Sequence, residues 1–172
     1  GNPEWTYVAT DGACSTQSDQ RLRRAGFAYY VGESHSQNFS QPCFGPQQSA
    51  QRAEAMVVEA FLARQWGATI WIVTDSRFVC KGLERIRNRK PISDLDHDEL
   101  WASIERAYLF GATHGDECVR FQWVLAHTRG DQLRAGTISP VLQYMNDKVD
   151  KMAVAAPQQI CILAHIVASA ER

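Results

Sequence analysis

Four carboxylates, Asp11, Glu54, Asp75 and Asp150, stand at the junctions of an alternating strand–helix pattern. Asp11 closes the run Val8-Ala9-Thr10 and precedes Gly12, Asp75 closes Ile72-Val73-Thr74, and Glu54 lies one turn into a helix opening at Ala50. Singly, each has an ordinary role. Asp before Gly is a turn signal, an acid in a first helical turn complements the dipole, Asp75-Ser76 after a strand reads as a cap, and Asp150 suits a solvated helix position. Jointly they imply more, because Asp11 and Asp75 end strands expected to be neighbours at a sheet centre, within reach of Glu54. Two unit charges about 4 Å apart repel by ~4 kcal/mol at an effective dielectric near 20. Several such pairs rival the roughly 5–15 kcal/mol net stability of a domain. Cations resolve the repulsion. Magnesium takes oxygen ligands and keeps waters beside phosphates, and two ions roughly 4 Å apart activate water and stabilise a leaving oxygen. The residues point to phosphodiester chemistry.

The rest of the chain sets the bounds. Its 172 residues suit one domain, with 45% hydrophobic and 22% charged residues as in an ordinary globular protein. A net charge of −1 excludes a broadly basic binder but not local basic clusters, of which Arg21, Arg23, Arg24 and Arg85, Arg87, Arg89, Lys90 are two. Five scattered cysteines, without a CxxC, argue against a disulfide framework or zinc site and for a reducing compartment, cytoplasm or nucleus, rather than secretion. No apolar run is long enough to span a bilayer, so no membrane partner is expected. The chain opens on Gly1, so residues 1–4 read as a tag or linker remnant on a piece of a longer protein.

Positioning the acids requires a particular order of elements. Strands are expected at Thr6–Thr10, Gly26–Val31 and Asn38–Phe44, joined by short turns as an antiparallel meander, with Pro42 marking an edge. A helix follows over Ala50–Trp66, closed by Gly67, then a buried parallel strand, Ile70–Thr74. Helices over Ser76–Ile86 and Asp98–Phe110 precede a strand at Val119–Leu125. Residues 128–145 read as a long loop, and 146–172 as a helical segment interrupted at Pro157. Trp66, Trp71, Trp101 and Trp123 fall at core-like positions. The order gives an α/β fold: a five-stranded mixed sheet, three antiparallel strands plus parallel ones, with helices on both faces.

Five segments carry a resemblance to a known family: Asp11-Gly12-Ala13-Cys14, Gln48-Ser49-Ala50-Gln51-Arg52-Ala53-Glu54, Thr74-Asp75-Ser76-Arg77-Phe78-Val79, Trp123-Val124-Leu125-Ala126-His127 and Asn146-Asp147-Lys148-Val149-Asp150-Lys151-Met152-Ala153. In this order they make the chain similar to type 1 ribonuclease H, in the form attached to reverse transcriptases of retroelements. The resemblance implies an RNase H-like fold and cleavage of the RNA strand of RNA·DNA hybrids to 5′-phosphate and 3′-hydroxyl ends. It implies two Mg2+ ions, replaceable by Mn2+, on Asp11, Glu54, Asp75 and Asp150, with His127 assisting proton transfer or product release. Gly12, Cys14 and Gln51 would read the 2′-hydroxyls that separate a hybrid from duplex DNA. Ser49 and His97 would hold a DNA-strand phosphate, and Arg77 would contact bases in the minor groove. The implied partners are the hybrid and the remainder of a larger polymerase polyprotein.

Two departures from the family pattern stand out. The segment between Val79 and Leu100 is shorter than in relatives with a basic protrusion, leaving Arg85, Arg87, Arg89 and Lys90 to bind phosphates in its place. An insertion separates His127 from Asn146, so Asp131, and more weakly Asp147, compete with Asp150 as fourth ligand. Two other readings remain: a silent module that binds hybrid or tethers a polymerase, and a DNA-acting nuclease or transferase of the same fold.

Overall fold

The sheet of this protein is built around its first strand, β1 (Thr6–Cys14). The computed structural model describes residues 4–64, 69–112, 118–126 and 139–158. β2 (Ala25–Tyr30) pairs antiparallel with β1, and β3 (Phe39–Pro42) antiparallel with β2. On the other side of β1, β4 (Ile70–Thr74) runs parallel to it and β5 (Val119–Trp123) parallel to β4. The spatial order is therefore β3-β2-β1-β4-β5. The expected meander and parallel half are both present, and Pro42 ends an edge strand, where its missing N–H is harmless.

Strand alternation sends side chains to two faces. Val8, Phe27, Tyr29, Ile70 and Ile72 face one core, filled by α1 (Ala50–Leu62), α2 (Arg77–Arg87) and α3 (Asp98–Ala112). Ala9, Ala28 and Tyr30 face the other, covered by Met145, Val149 and Ala153 of α4 (Pro140–Ala155). The i, i+4, i+8 spacing of those three explains how one helix face seals that side. In the larger core Trp101 is fully buried and lies against Gly82, where an added Cβ would stand 2.1 Å from the indole ring. That glycine lets α2 and α3 touch.

Several expected boundaries are corrected. β1 runs past Asp11 to Cys14, because Asp11, Gly12, Ala13 and Cys14 all remain paired with β2. Asp11 is thus inside a strand rather than at its end. α1 stops at Leu62, short of Trp66, which lies outside the described residues with Gly67. α4 begins at Pro140 rather than near Asn146, since a proline with its fixed φ opens a helix well. It ends at Ala155, ahead of Pro157, and the expected resumption over 160–170 lies outside the described residues. Trp71 and Trp123 are half-buried rather than core. Among the described residues no helix is long and apolar enough to cross a membrane.

Candidate metal centre

The strand register brings the first two acids together. Ala9 of β1 pairs with Val73 of β4, and two residues further on stand Asp11, still in β1, and Asp75, the first residue past the end of β4. Both have the parity that faces α4. Asp11 is only 4% exposed, and the Gly12 N–H donates to its Oδ1 at 2.9 Å.

Glu54 arrives from the opposite layer. Ser49 caps α1 by accepting the Arg52 amide at 3.1 Å, which fixes the first turn over β1. The approach is close. A Cβ on Gly12 would lie 2.4 Å from the Glu54 backbone nitrogen and 2.7 Å from the Ala53 carbonyl carbon. The glycine is what allows Glu54 into the site. Its Oε2 accepts the Ser76 hydroxyl at 2.7 Å, and the same hydroxyl oxygen caps α2 by accepting the Val79 amide at 3.1 Å.

Ligand oxygens of Asp11, Glu54 and Asp75 all lie within 4.8 Å of one another. Asp150 reaches the group from α4, near enough to hydrogen-bond Asp11. Burial, the Asp75 charge and the Asp150 contact push Asp11 up to about 9 from its ordinary 3.8. Burial, reinforced by the Asp75 charge and opposed by the Ser76 bond, raises Glu54 to about 7. Without cations, Asp11 and Glu54 therefore hold protons more tightly than ordinary carboxyl groups do. Those oxygens fit hard divalent ions, which would replace the protons.

Asp75 is held on two sides. Its backbone carbonyl accepts the Trp123 indole N–H at 3.1 Å, and its Oδ2 accepts from Asn146 Nδ2 at 3.4 Å. α4 is itself pinned, because Tyr144 Oη and Tyr30 Oη both donate to Glu33 Oε2, at 2.9 and 3.2 Å. Asp147, the rival fourth acid, accepts from Gln143 Nε2 at 2.7 Å along its own helix; like Asp150 it lies outside the group of three, but it lacks the contact that Asp150 makes with Asp11. Asp131 and His127 lie outside the described residues.

The remaining candidates border the site. Half-buried Gln51 sits in the first turn of α1, and the Cys14 thiol points at the Gln48 carbonyl, 3.5 Å away. Ser49 and His97 are linked through Arg52, whose Nη1 donates to Glu99 at 2.7 Å and faces His97 Nδ1 at 3.1 Å. Arg77 lies with its guanidinium 4.0 Å over the Trp123 ring. Of the basic run, Arg85 pairs with Asp94 and Arg87 stacks on Phe121, leaving exposed Arg89 and Lys90 as the freer cations. Sequence reasoning passed over Asn146 and Trp123 as parts of the site. The helical offset of Asn146 from Asp150 was an available signal, and that of Trp123 was masked by its resemblance to a core residue.

The RNase H family model, described simply as RNase H, matches residues 3–158. The chain belongs to the RNase H family. As an RNase H domain it is similar to the structure of a foamy viral protease–reverse transcriptase in complex with dsDNA, with TM-score 0.59 and 19% identity over 89% of this chain and 94% of that one. It is also similar to the foamy viral protease–reverse transcriptase in complex with RNA/DNA hybrid, with TM-score 0.61 and 20% identity over 89% of this chain, but only 20% of that one. The N-terminal RNase H domain of Rv2228c from Mycobacterium tuberculosis, solved as a fusion with maltose-binding protein, gives TM-score 0.51 and 18% identity, over 88% and 98%. No curated protein matches. At these identities the structural likeness speaks for the RNase H fold, a five-stranded mixed sheet with its helices.

Proposed function

We propose that this RNase H domain is a metal-dependent endoribonuclease that hydrolyses the RNA strand of RNA·DNA hybrids, leaving 5′-phosphate and 3′-hydroxyl ends. The convergence of Asp11, Glu54 and Asp75 oxygens within 4.8 Å carries this reading. Family membership supports it, as does the hybrid bound by the foamy viral relative. Asp11, Glu54, Asp75 and Asp150 would hold two Mg2+ ions, with Mn2+ as a substitute. When bound, such ions supply an activated water and neutralise the leaving oxygen.

The chain's own groups do the rest. Ser49 and His97, fixed through Arg52, present a phosphate site on the DNA strand beside α1. Gly12, Cys14 and Gln51 border the acids on the side where 2′-hydroxyls would be read. Arg77, stacked on Trp123, would contact bases in the minor groove, and His127 would assist proton transfer or product release. The hybrid is the proposed substrate, and a larger polymerase polyprotein the proposed setting, as in the foamy viral relative.

A cleavage assay on RNA·DNA hybrid, duplex DNA and duplex RNA, with Mg2+ or Mn2+ and beside Asp75→Asn, tests this. Hybrid alone should be cut, and Asp75→Asn should remain folded yet inactive. A well-folded sample that binds hybrid without cutting it would establish a silent module, and cleavage of duplex DNA a DNA-acting nuclease.

A further inference from the structure

Asn146 is 2% exposed, on a helix whose other buried positions hold Gln143, Met145, Val149 and Ala153. Its Nδ2 donates to Asp75 Oδ2 at 3.4 Å, while its Oδ1 has no hydrogen-bond partner among the described residues. Leaving a buried acceptor unsatisfied costs more than one long hydrogen bond returns. Its position four residues before Asp150 puts both on the same side of α4, toward the acids. Stability does not account for an amide here; a donor in the centre does.

We propose that Asn146 is a positioning residue of the acidic centre: it orients the Asp75 carboxylate through Nδ2 and accepts, through Oδ1, a hydrogen bond from water on a bound divalent cation. The inference rests on the metal reading above. Magnesium keeps several waters, each a polarised donor. Partners that orient a metal ligand tune the site almost as strongly as the ligands do. A side chain bonded to Asp75, with a second polar atom left unpartnered, can act on both the ligand and the hydration shell.

The first test uses the unaltered protein. In a MgCl2 titration followed by NMR, the Asn146 side-chain amide signals should shift with the Gly12 backbone amide, which reports on Asp11. Those of Asn38 and Asn88, in a turn and at the end of α2, should stay put. A titration that moves Gly12 but leaves Asn146 still overturns the proposal. One that moves neither overturns the metal reading beneath it as well. The second test is Asn146→Ala, with MnCl2 affinity by calorimetry and cleavage kinetics. Mn2+ affinity or kcat should fall about 10–100-fold with KM for hybrid within about twofold. An Mn2+ isotherm and kcat equal to those of the parent overturn it.

Discussion

Ser76 donates its hydroxyl to Glu54 at 2.7 Å while the same oxygen caps the helix that follows β4. One side chain therefore ties a ligand from α1 to the start of α2. Ser76→Ala should lose a cap worth about 0.5–2 kcal/mol. It should also release Glu54 from the one contact holding its pKa down. Thermal unfolding should show a lower Tm, and cleavage should need more Mg2+ to reach half-maximum. An unchanged Mg2+ midpoint would refute the second half of this expectation.

Gly12→Ala should be among the most damaging single-methyl changes in the chain. The new Cβ would meet backbone of Ala53 and Glu54 at 2.4–2.7 Å, which no side-chain rotation relieves. Overpacking of this kind costs about 1–3 kcal/mol or more. A shifted α1 would also carry Glu54 out of the cluster. Denaturant unfolding and Mn2+ binding should both report losses; retention of parental stability would contradict the close approach.

Asp150→Asn and Asp147→Asn should separate sharply. Asp150 reaches Asp11, whereas Asp147 is engaged by Gln143 on its own helix. Loss of a ligand should slow cleavage by more than the roughly 10–100-fold typical of partners that orient one. Asp147→Asn should stay near parental rate. The opposite ranking in single-turnover assays would reassign the fourth ligand.

Metal-free protein should become less stable as pH rises. Asp11 is raised to about 9 by burial first and the Asp75 charge next, and Glu54 to about 7 chiefly by burial. Across the window from their ordinary values of 3.8 and 4.5 up to these raised ones, the native state keeps protons that the unfolded chain has released. Stability contributed by those protons is complete at the acid end and lost as pH climbs through the folded values. Melting curves in chelator should therefore fall between mildly acid and alkaline pH, with Asp11→Asn flattening the trend. A Tm independent of pH in chelator would argue that the acids do not crowd one another.

Much of this was legible in the sequence because it rests on periodicity. The alternation of β1, the apolar run Ile70–Thr74 and the i, i+4 faces of α1 to α3 each declare an element. The parallel placement of β1 beside β4 then follows and brings Asp11 to Asp75. What escaped depends on contacts between distant elements. Nothing in the local composition says that pairing continues through Asp11 to Cys14, since Asp-Gly reads as a turn until β2 supplies its partner Ala28. Trp71 and Trp123 read as core because tryptophan usually is, yet Trp71 stacks on exposed Tyr7 and Trp123 carries Arg77. Asn146 had a clear helical position, but its worth depends on Asp75, 71 residues away.

The lateness of α4 in the chain has a bearing on biosynthesis. All five strands of the sheet, together with Asp11, Glu54 and Asp75, are translated before Pro140. A nascent polypeptide can thus assemble its sheet while lacking both Asp150 and the tyrosine clasp on Glu33 that seats the last helix. The acidic centre would then be completed only when this helix docks on a sheet already formed.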